Sequence, residues 1–291
     1  MTQATAILGL LAQTSIHAGT GSMTGVIDLP IQREGHNGYP CIFGSGMKGA
    51  LRARAELECS KESVKFVFGP EFGKDIDHAG ALMVSDARLL LLPIRSLTSQ
   101  FKWVTCPDAL KRFQRDAQRF GVDVGSFEVT VTDNQAKVPT PSAAGALFLE
   151  EYRFEASNTN LDTVIAALAK LMKRDDATEV LEQQLVVISD TMFAHLCQHA
   201  TPVNAHIAID SEKKTVRAGA LWYEETLPPE TLLYVGLAAN KARAQDATMP
   251  ANAILSAVTG LFEKKPWLQV GGNETVGMGW CAVQILTGAA Q

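Results

Sequence analysis

The chain has 291 residues, with 31 acidic against 26 basic side chains and a formal net charge of −5 when the histidines are neutral. At 46% apolar and 20% charged residues it has the composition of a compact globular protein, which excludes a disordered or collagen-like chain. Its acidity also excludes a protein that grips nucleic acid over its whole surface, so any such contact has to be local.

No apolar run reaches the length of a membrane helix. The stretch Ala6 to Ala12 lacks both a basic flank and a cleavage site, so neither a span nor secretion is expected. Cys41, Cys59, Cys106, Cys197 and Cys281 are odd in number and scattered, with no Cys-x-x-Cys, which predicts free thiols in a reducing cytoplasm. With no internal repeat and no clean linker, one interwoven domain is expected.

Apolar runs predict strands at 5–12, 81–92, 185–188, 231–238 and 279–286. Helical periodicity predicts helices at 45–58, 107–120, 161–172, 190–200 and 250–262. The order is mixed and reads as α+β. After the first strand, a polar stretch from Ser15 to Gly38 carries His17, Asp28, Arg33, Glu34 and His36. Loops that long inside a compact domain tend to be functional or disordered. Asp28 lies in Val26-Ile27-Asp28-Leu29-Pro30-Ile31, where it reads equally as a turn former before proline or as a carboxylate held in place by apolar neighbours.

The next helix carries more information. Ser45 is placed to cap it, Met47, Ala50, Leu51 and Ala55 form an apolar stripe, and Lys48 and Arg52 stand one turn apart on another face. Gly44-Ser45-Gly46-Met47-Lys48-Gly49 matches G-x-G-x-x-G, the pattern of dinucleotide sites. Against that reading, the run before it is short and holds Pro40, and the next apolar run, Val64 to Phe68, leads into Gly69-Pro70 and only then Glu71. What survives is phosphate binding in general, from bare glycine backbone, a helix N-terminus and Lys48.

In the helix at 107–120, Leu110, Phe113, Ala117 and Phe120 face inward. Lys111, Arg115 and Arg119 form a solvated row, with Asp108 and Arg112 as an ion pair. His195 and His199 share a helix face, but zinc would need two further ligands, so a packed pair is expected. Residues 203–217 alternate as a hairpin around the polar tip Ser211 to Lys214. Between the last helix and last strand, Gly271-Gly272-Asn273-Glu274-Thr275-Val276-Gly277-Met278-Gly279 holds four glycines in nine residues, which suits a tight turn or close passage past a phosphate.

Taken together, these blocks resemble a known family. His17 to Gly21, Gly25 to Glu34, Gly38-Tyr39-Pro40, Gly44 to Arg52, Leu91 to Leu97, Gly219 to Glu225 and Gly271 to Gly279 are similar, in order, to the RAMP superfamily of RNA-binding proteins. Within it they resemble the backbone subunits of type III-B CRISPR (Cmr) effector complexes. The resemblance implies a ferredoxin-like, RRM-like palm with large insertions: palm at about 1–14, 45–120 and 219–291, a protruding thumb hairpin at about 203–217, and an inserted helical region at about 121–202. It implies a subunit that stacks head to tail with copies of itself and with other Cmr subunits along a CRISPR guide RNA, and that cuts complementary target RNA at regular intervals, with no membrane partner.

By the same resemblance Asp28 is the catalytic carboxylate, with His17 and Glu224 assisting. Ser45, Lys48, Arg52, Arg33, Gly271, Gly272, Asn273, Gly277 and Gly279 contact RNA, and a divalent cation, Mg²⁺ or Mn²⁺, takes part. The alternatives are the same scaffold without cutting, and a nucleotide-binding enzyme using 44–49.

Overall fold

The structure is a computed structural model that describes residues 3–71, 78–140, 142, 144–244 and 248–289. The chain begins with β1 (Ala4–Ala12), β2 (Cys41–Ile42), α1 (Gly44–Glu56), α2 (Lys61–Phe68), β3 (Leu82–Val84), β4 (Ala87–Arg95), β5 (Phe101–Thr105) and α3 (Pro107–Arg119). It continues through β6 (Gln135–Val138), β7 (Gly145–Leu149), β8 (Tyr152–Asn158), α4 (Asp162–Ala169), α5 (Ala177–Gln184), β9 (Leu185–Ile188) and α6 (Asp190–His199). It closes with β10 (Val203–Ile209), β11 (Val216–Glu225), β12 (Leu232–Ala239), α7 (Ala251–Thr259), β13 (Trp267–Gln269) and β14 (Trp280–Thr287).

The palm is legible in the strand order. β14, β1, β12 and the broken strand β3/β4 lie side by side, every neighbouring pair antiparallel, with α1 after the first of them in sequence and α7 before the last. This is the split β-α-β arrangement of a ferredoxin-like fold. The second palm strand breaks at Ser85-Asp86, where the Ser85 N–H still reaches the Gly236 carbonyl at 3.0 Å. Between the second and third palm strands the chain leaves for more than a hundred residues. β4 bends away to pair with β5, and the sheet runs on through β9, β6, β8 and β7. The segment expected to be helical is therefore a mixed lobe of strands and helices.

The two faces of β1 show how the layers stack. Ala6, Leu8 and Leu10 join one core with Met47 and Leu51 of α1, Val64 and Val67 of α2, and Ile254 and Val258 of α7. Ile7 and Leu11 join the other with Leu110 and Phe113 of α3, Leu168 of α4 and Tyr234 of β12. A β-carbon on Gly9 would lie 2.1 Å from the Leu171 carbonyl oxygen, so the inserted lobe sits directly on the palm backbone. The sheet face on which RRM modules stack bases is therefore covered, and a nucleic acid has to meet this palm along its edge and loops.

Several local expectations change. The run Val64 to Phe68 belongs to helix α2, capped by Ser60, whose hydroxyl accepts the Ser63 N–H at 3.2 Å. A Rossmann unit needs a strand there, so the dinucleotide reading of 44–49 fails. The cap of α1 is Phe43, not Ser45, and no side chain caps it. Arg112 turns inward, 5% exposed, and pairs with Glu34 at 2.5 Å rather than with Asp108. The hairpin is longer than 203–217: β11 runs on to Glu225, opposite Val203, so residues 221–225 pair with β10.

Candidate functional site

Asp28 lies on a strap, residues 28–33, that crosses the foot of the β10–β11 hairpin. The Leu29 N–H donates to the Tyr223 carbonyl at 3.1 Å, and the Glu225 N–H donates to the Leu29 carbonyl at 3.0 Å. Asp28 itself accepts the Tyr223 N–H on Oδ2 at 2.8 Å, and its side chain is half-buried. Its Oδ1 has no partner among the described residues. One oxygen thus fixes the carboxylate and the other remains available.

On the far side the strap is pinned by Gln32. Its N–H donates to the Ala18 carbonyl at 2.8 Å, its Nε2 to Gly19 at 3.0 Å, and its Oε1 accepts the Phe43 N–H at 2.7 Å, next to the start of α1. One short segment therefore joins the hairpin foot to the glycine-flanked helix start.

His17 and Glu224 do come together, but beneath the surface, 8% and 4% exposed. The His17 ring donates from Nδ1 to the Glu225 carbonyl at 2.8 Å, which fixes the tautomer, since a carbonyl can only accept. Glu224 accepts Asn273 Nδ2 at 2.5 Å and lies 3.8 Å from the imidazole. The Gly272 N–H donates to the His17 carbonyl at 2.8 Å. This arrangement gives the two residues a positioning place: they lock the glycine turn to the hairpin foot.

The turn itself needs its glycines for two different contacts. A β-carbon on Gly271 would lie 2.5 Å from the His17 carbonyl oxygen, and one on Gly279 would lie 2.0 Å from that of Val270, both at positive φ. Gly277 instead faces open space, as does the exposed stretch from Glu274 to Val276. Asn273, in a left-handed conformation, is spent on Glu224.

At the start of α1, Ser45 and Gly46 are exposed, but Asp86 Oδ1 already accepts the Gly44 N–H at 2.7 Å. The helix terminus is therefore part-filled by an acid, and cations must do more of any anion binding than sequence reading supposed. Lys48 is half-buried and has no hydrogen bond or ion pair among the described residues. Burial, and then the charges of Arg52 and Arg243, pull its ammonium below the ordinary lysine range. Arg52 is partly engaged, with Glu56 at 2.9 Å and the Gly69 carbonyl at 3.2 Å. Three crowded cations form a place that a phosphate would relieve. Arg243, from the loop before α7, was missed in the sequence because nothing marks it as a neighbour of Lys48.

Arg33 is a correction. Its guanidinium pairs with buried Glu225 and donates to the carbonyls of Gly38 at 2.9 Å and Cys197 at 2.8 Å. It is a structural cation, not one free to meet RNA. The His195 ring, in turn, meets the Tyr152 hydroxyl at 2.8 Å and packs against His199, as a packed pair should. No group of three or more His, Cys, Asp or Glu side chains able to hold a metal occurs among the described residues.

The hairpin above the strap is amphipathic in an unusual sense, because its apolar face is bare. Ile207, Ile209, Val216, Leu221 and Tyr223 are 42–56% exposed. On the other face His206 and Trp222 stack at 5.5 Å with planes 15° apart.

Comparison with known proteins agrees with this geometry. Residues 10–282 match the RAMP superfamily. A curated relative, the CRISPR system Cmr endoribonuclease Cmr4 of Pyrococcus furiosus, is 35% identical over 285 residues, covering 96% of this chain and 95% of the relative. The crystal structure of oligomeric Cmr4 from Pyrococcus furiosus superimposes with a TM-score of 0.76 at 27% identity, covering 98% of this chain and 99% of that one. A subunit in the cryo-EM structure of the type III-B Cmr-beta complex bound to cognate target RNA shares the fold, with a TM-score of 0.75 at 20% identity over 97% and 96% of the two chains. With its palm, its hairpin and a match along nearly its whole length, the chain belongs to the RAMP superfamily and, within it, to the Cmr4 family.

Proposed function

We propose that the chain is a guide-RNA-binding backbone subunit of a type III-B CRISPR effector complex and that it cuts complementary target RNA there. The endoribonuclease name of its Pyrococcus relative and the oligomeric crystal form of that family support the reading. The observation that carries the chemistry is Asp28, a carboxylate pinned at the hairpin foot by one oxygen and open at the other.

Cleavage by the neighbouring 2′-hydroxyl needs the attacking oxygen, phosphorus and leaving oxygen in line, a geometry that a regular A-form helix denies and a kinked strand permits. The hairpin, with its bare aliphatic face and stacked His206–Trp222 pair, is the element that displaces a nucleotide. Asp28 Oδ1 then takes the 2′-hydroxyl proton, and the same oxygen would be the group to hold a hydrated cation if one is bound. The 2′ oxygen forms a bond to phosphorus as the bond from phosphorus to the 5′ oxygen breaks, and the 5′ oxygen leaves with a proton from water, giving a 2′,3′-cyclic phosphate and a 5′-hydroxyl.

A lone hard carboxylate suits Mg²⁺ or Mn²⁺, which keep most of their waters and take further ligands from substrate phosphate. Such an ion would supply stabilisation of the negative charge that builds on the phosphate oxygens. Lys48, with Arg52 and Arg243 around it, holds guide phosphates near Ser45, and the open side of the 271–279 turn lies along the same strand. Copies stack head to tail with other Cmr subunits along the guide, so each needs only a small basic strip, which an acidic chain can provide. The five free thiols support a reducing cytoplasm as the setting of this assembly.

The test is product analysis. Complex reconstituted with guide RNA should cut a complementary RNA at regular intervals and leave 2′,3′-cyclic phosphate ends. Target bound but left whole in the presence of Mg²⁺ or Mn²⁺ would refute the proposal.

A further inference from the structure

Two glutamates stand side by side at the end of β11, and the two-residue period of a strand sends them to opposite faces. Glu224 ties down the glycine turn. Glu225, 2% exposed, receives three donors of its own: the Ile31 N–H at 3.1 Å, the Thr201 hydroxyl at 2.6 Å and the Arg33 guanidinium. Arg33 continues to the Cys197 carbonyl in α6, so one carboxylate gathers the strap, the hairpin foot and the end of α6. Asp28 is bound into the same joint, since its Oδ2 takes the N–H of Tyr223, two residues before Glu225.

Packing does not require an acid at this point. An apolar side chain would fill the space but strand the Ile31 N–H and the guanidinium, and burying an acid is costly without such donors. The donors converge on the strap that bears Asp28. We propose, resting on the reading of Asp28 above, that Glu225 is a positioning residue for cleavage: it fastens the Asp28 strap to the hairpin that bends the target, so that carboxylate and kink move as one body.

The experiment uses the reconstituted complex with its guide RNA. Glu225→Gln keeps size and shape but turns an amide toward Arg33 and Thr201. At saturating target, the cleavage rate constant of the assembled complex should fall about 10- to 100-fold, the scale of loss from a misplacement of about 1 Å, while target Kd stays within about twofold. A glutamate that merely supports the fold would lower assembly or affinity and leave the rate constant of assembled complex at its parent value, and that result overturns the proposal.

Thr201→Val covers the case in which Glu225→Gln does not fold. It removes one donor at constant volume and should slow cleavage about threefold, in keeping with loss of one hydrogen bond, at unchanged Kd; an unchanged rate constant also overturns the proposal. Asp28→Asn run alongside keeps the two readings apart. If it is inactive while Glu225→Gln cuts at the parent rate, only the joint fails; if it cuts at the parent rate itself, the reading of Asp28 fails and the joint with it.

Discussion

Lys48→Met tests the anion site with little disturbance of packing, because the apolar stem survives and only the charge goes. In the free protein the ammonium is crowded by burial and by Arg52 and Arg243, with no counter-charge among the described residues. A guide phosphate seated there relieves that repulsion. Losing one charge-assisted contact of this half-exposed kind should cost about 1 kcal/mol per copy, which is about fivefold in affinity. The slope of log affinity against log salt should flatten by about 0.7 per copy, the single-strand value for one phosphate. Fluorescence anisotropy with labelled guide RNA at several salt concentrations measures both quantities. Lys111→Met is the control, since α3 packs on the opposite face of the sheet and Lys111 is exposed there. Equal affinity and equal slope for Lys48→Met and the parent would refute the phosphate site.

Two further predictions concern the fold beneath the site. Gly9→Ala drives a β-carbon into the Leu171 backbone carbonyl, which has no rotamer in which to retreat. It should destabilise the chain by about 1–3 kcal/mol, read as a lower urea midpoint, whereas Gly49→Ala, which meets open space within its helix, should not. Thiol labelling at pH 8 gives a second check. Burial pushes Cys41, Cys106 and Cys281 up to about 12 and Cys197 well above the ordinary thiol value, so these stay protonated. Cys59, half-buried, should be alkylated first in native protein; early modification of Cys281 would contradict the packing.

Where sequence reading succeeded, each residue had one neighbourhood to satisfy. β1 is buried along all nine residues because helices cover both faces of the sheet, and an unbroken apolar run announces that. β8 carries a strand signal too, with Tyr152, Phe154 and Ala156 alternating with more exposed residues, but its polar and charged residues break up the apolar run by which strands are predicted. Val64 to Phe68 reads in the sequence only as an apolar run, assigned to neither a strand nor a helix. β-Branched and aromatic residues suit a strand, yet Ser60 starts a helix whose apolar side packs on α1 and α7.

The site divides along the same line. Lys48 and the glycine turn sit in short segments whose residue types suit a phosphate, whereas Asp28, which its own neighbours leave equally a turn former, stands out only through the family resemblance. Arg33 was misread because its partner, Glu225, lies 192 residues away, and Glu225 was passed over because an adjacent pair of acids does not say which one faces inward. Asp86 at the helix start and Arg243 beside Lys48 are likewise products of the fold.

The most direct measurement of the central claim is single-turnover cleavage of a complementary RNA by complex assembled with Asp28→Asn. That change preserves shape and the acceptor for Tyr223 but removes the charge and the basic oxygen. The rate should fall at least about 10²- to 10⁴-fold, the range for a positioned acid–base group, with target binding unaltered. Cutting at the parent rate would contradict the account and leave the chain a scaffold whose chemistry lies in another part of the assembly.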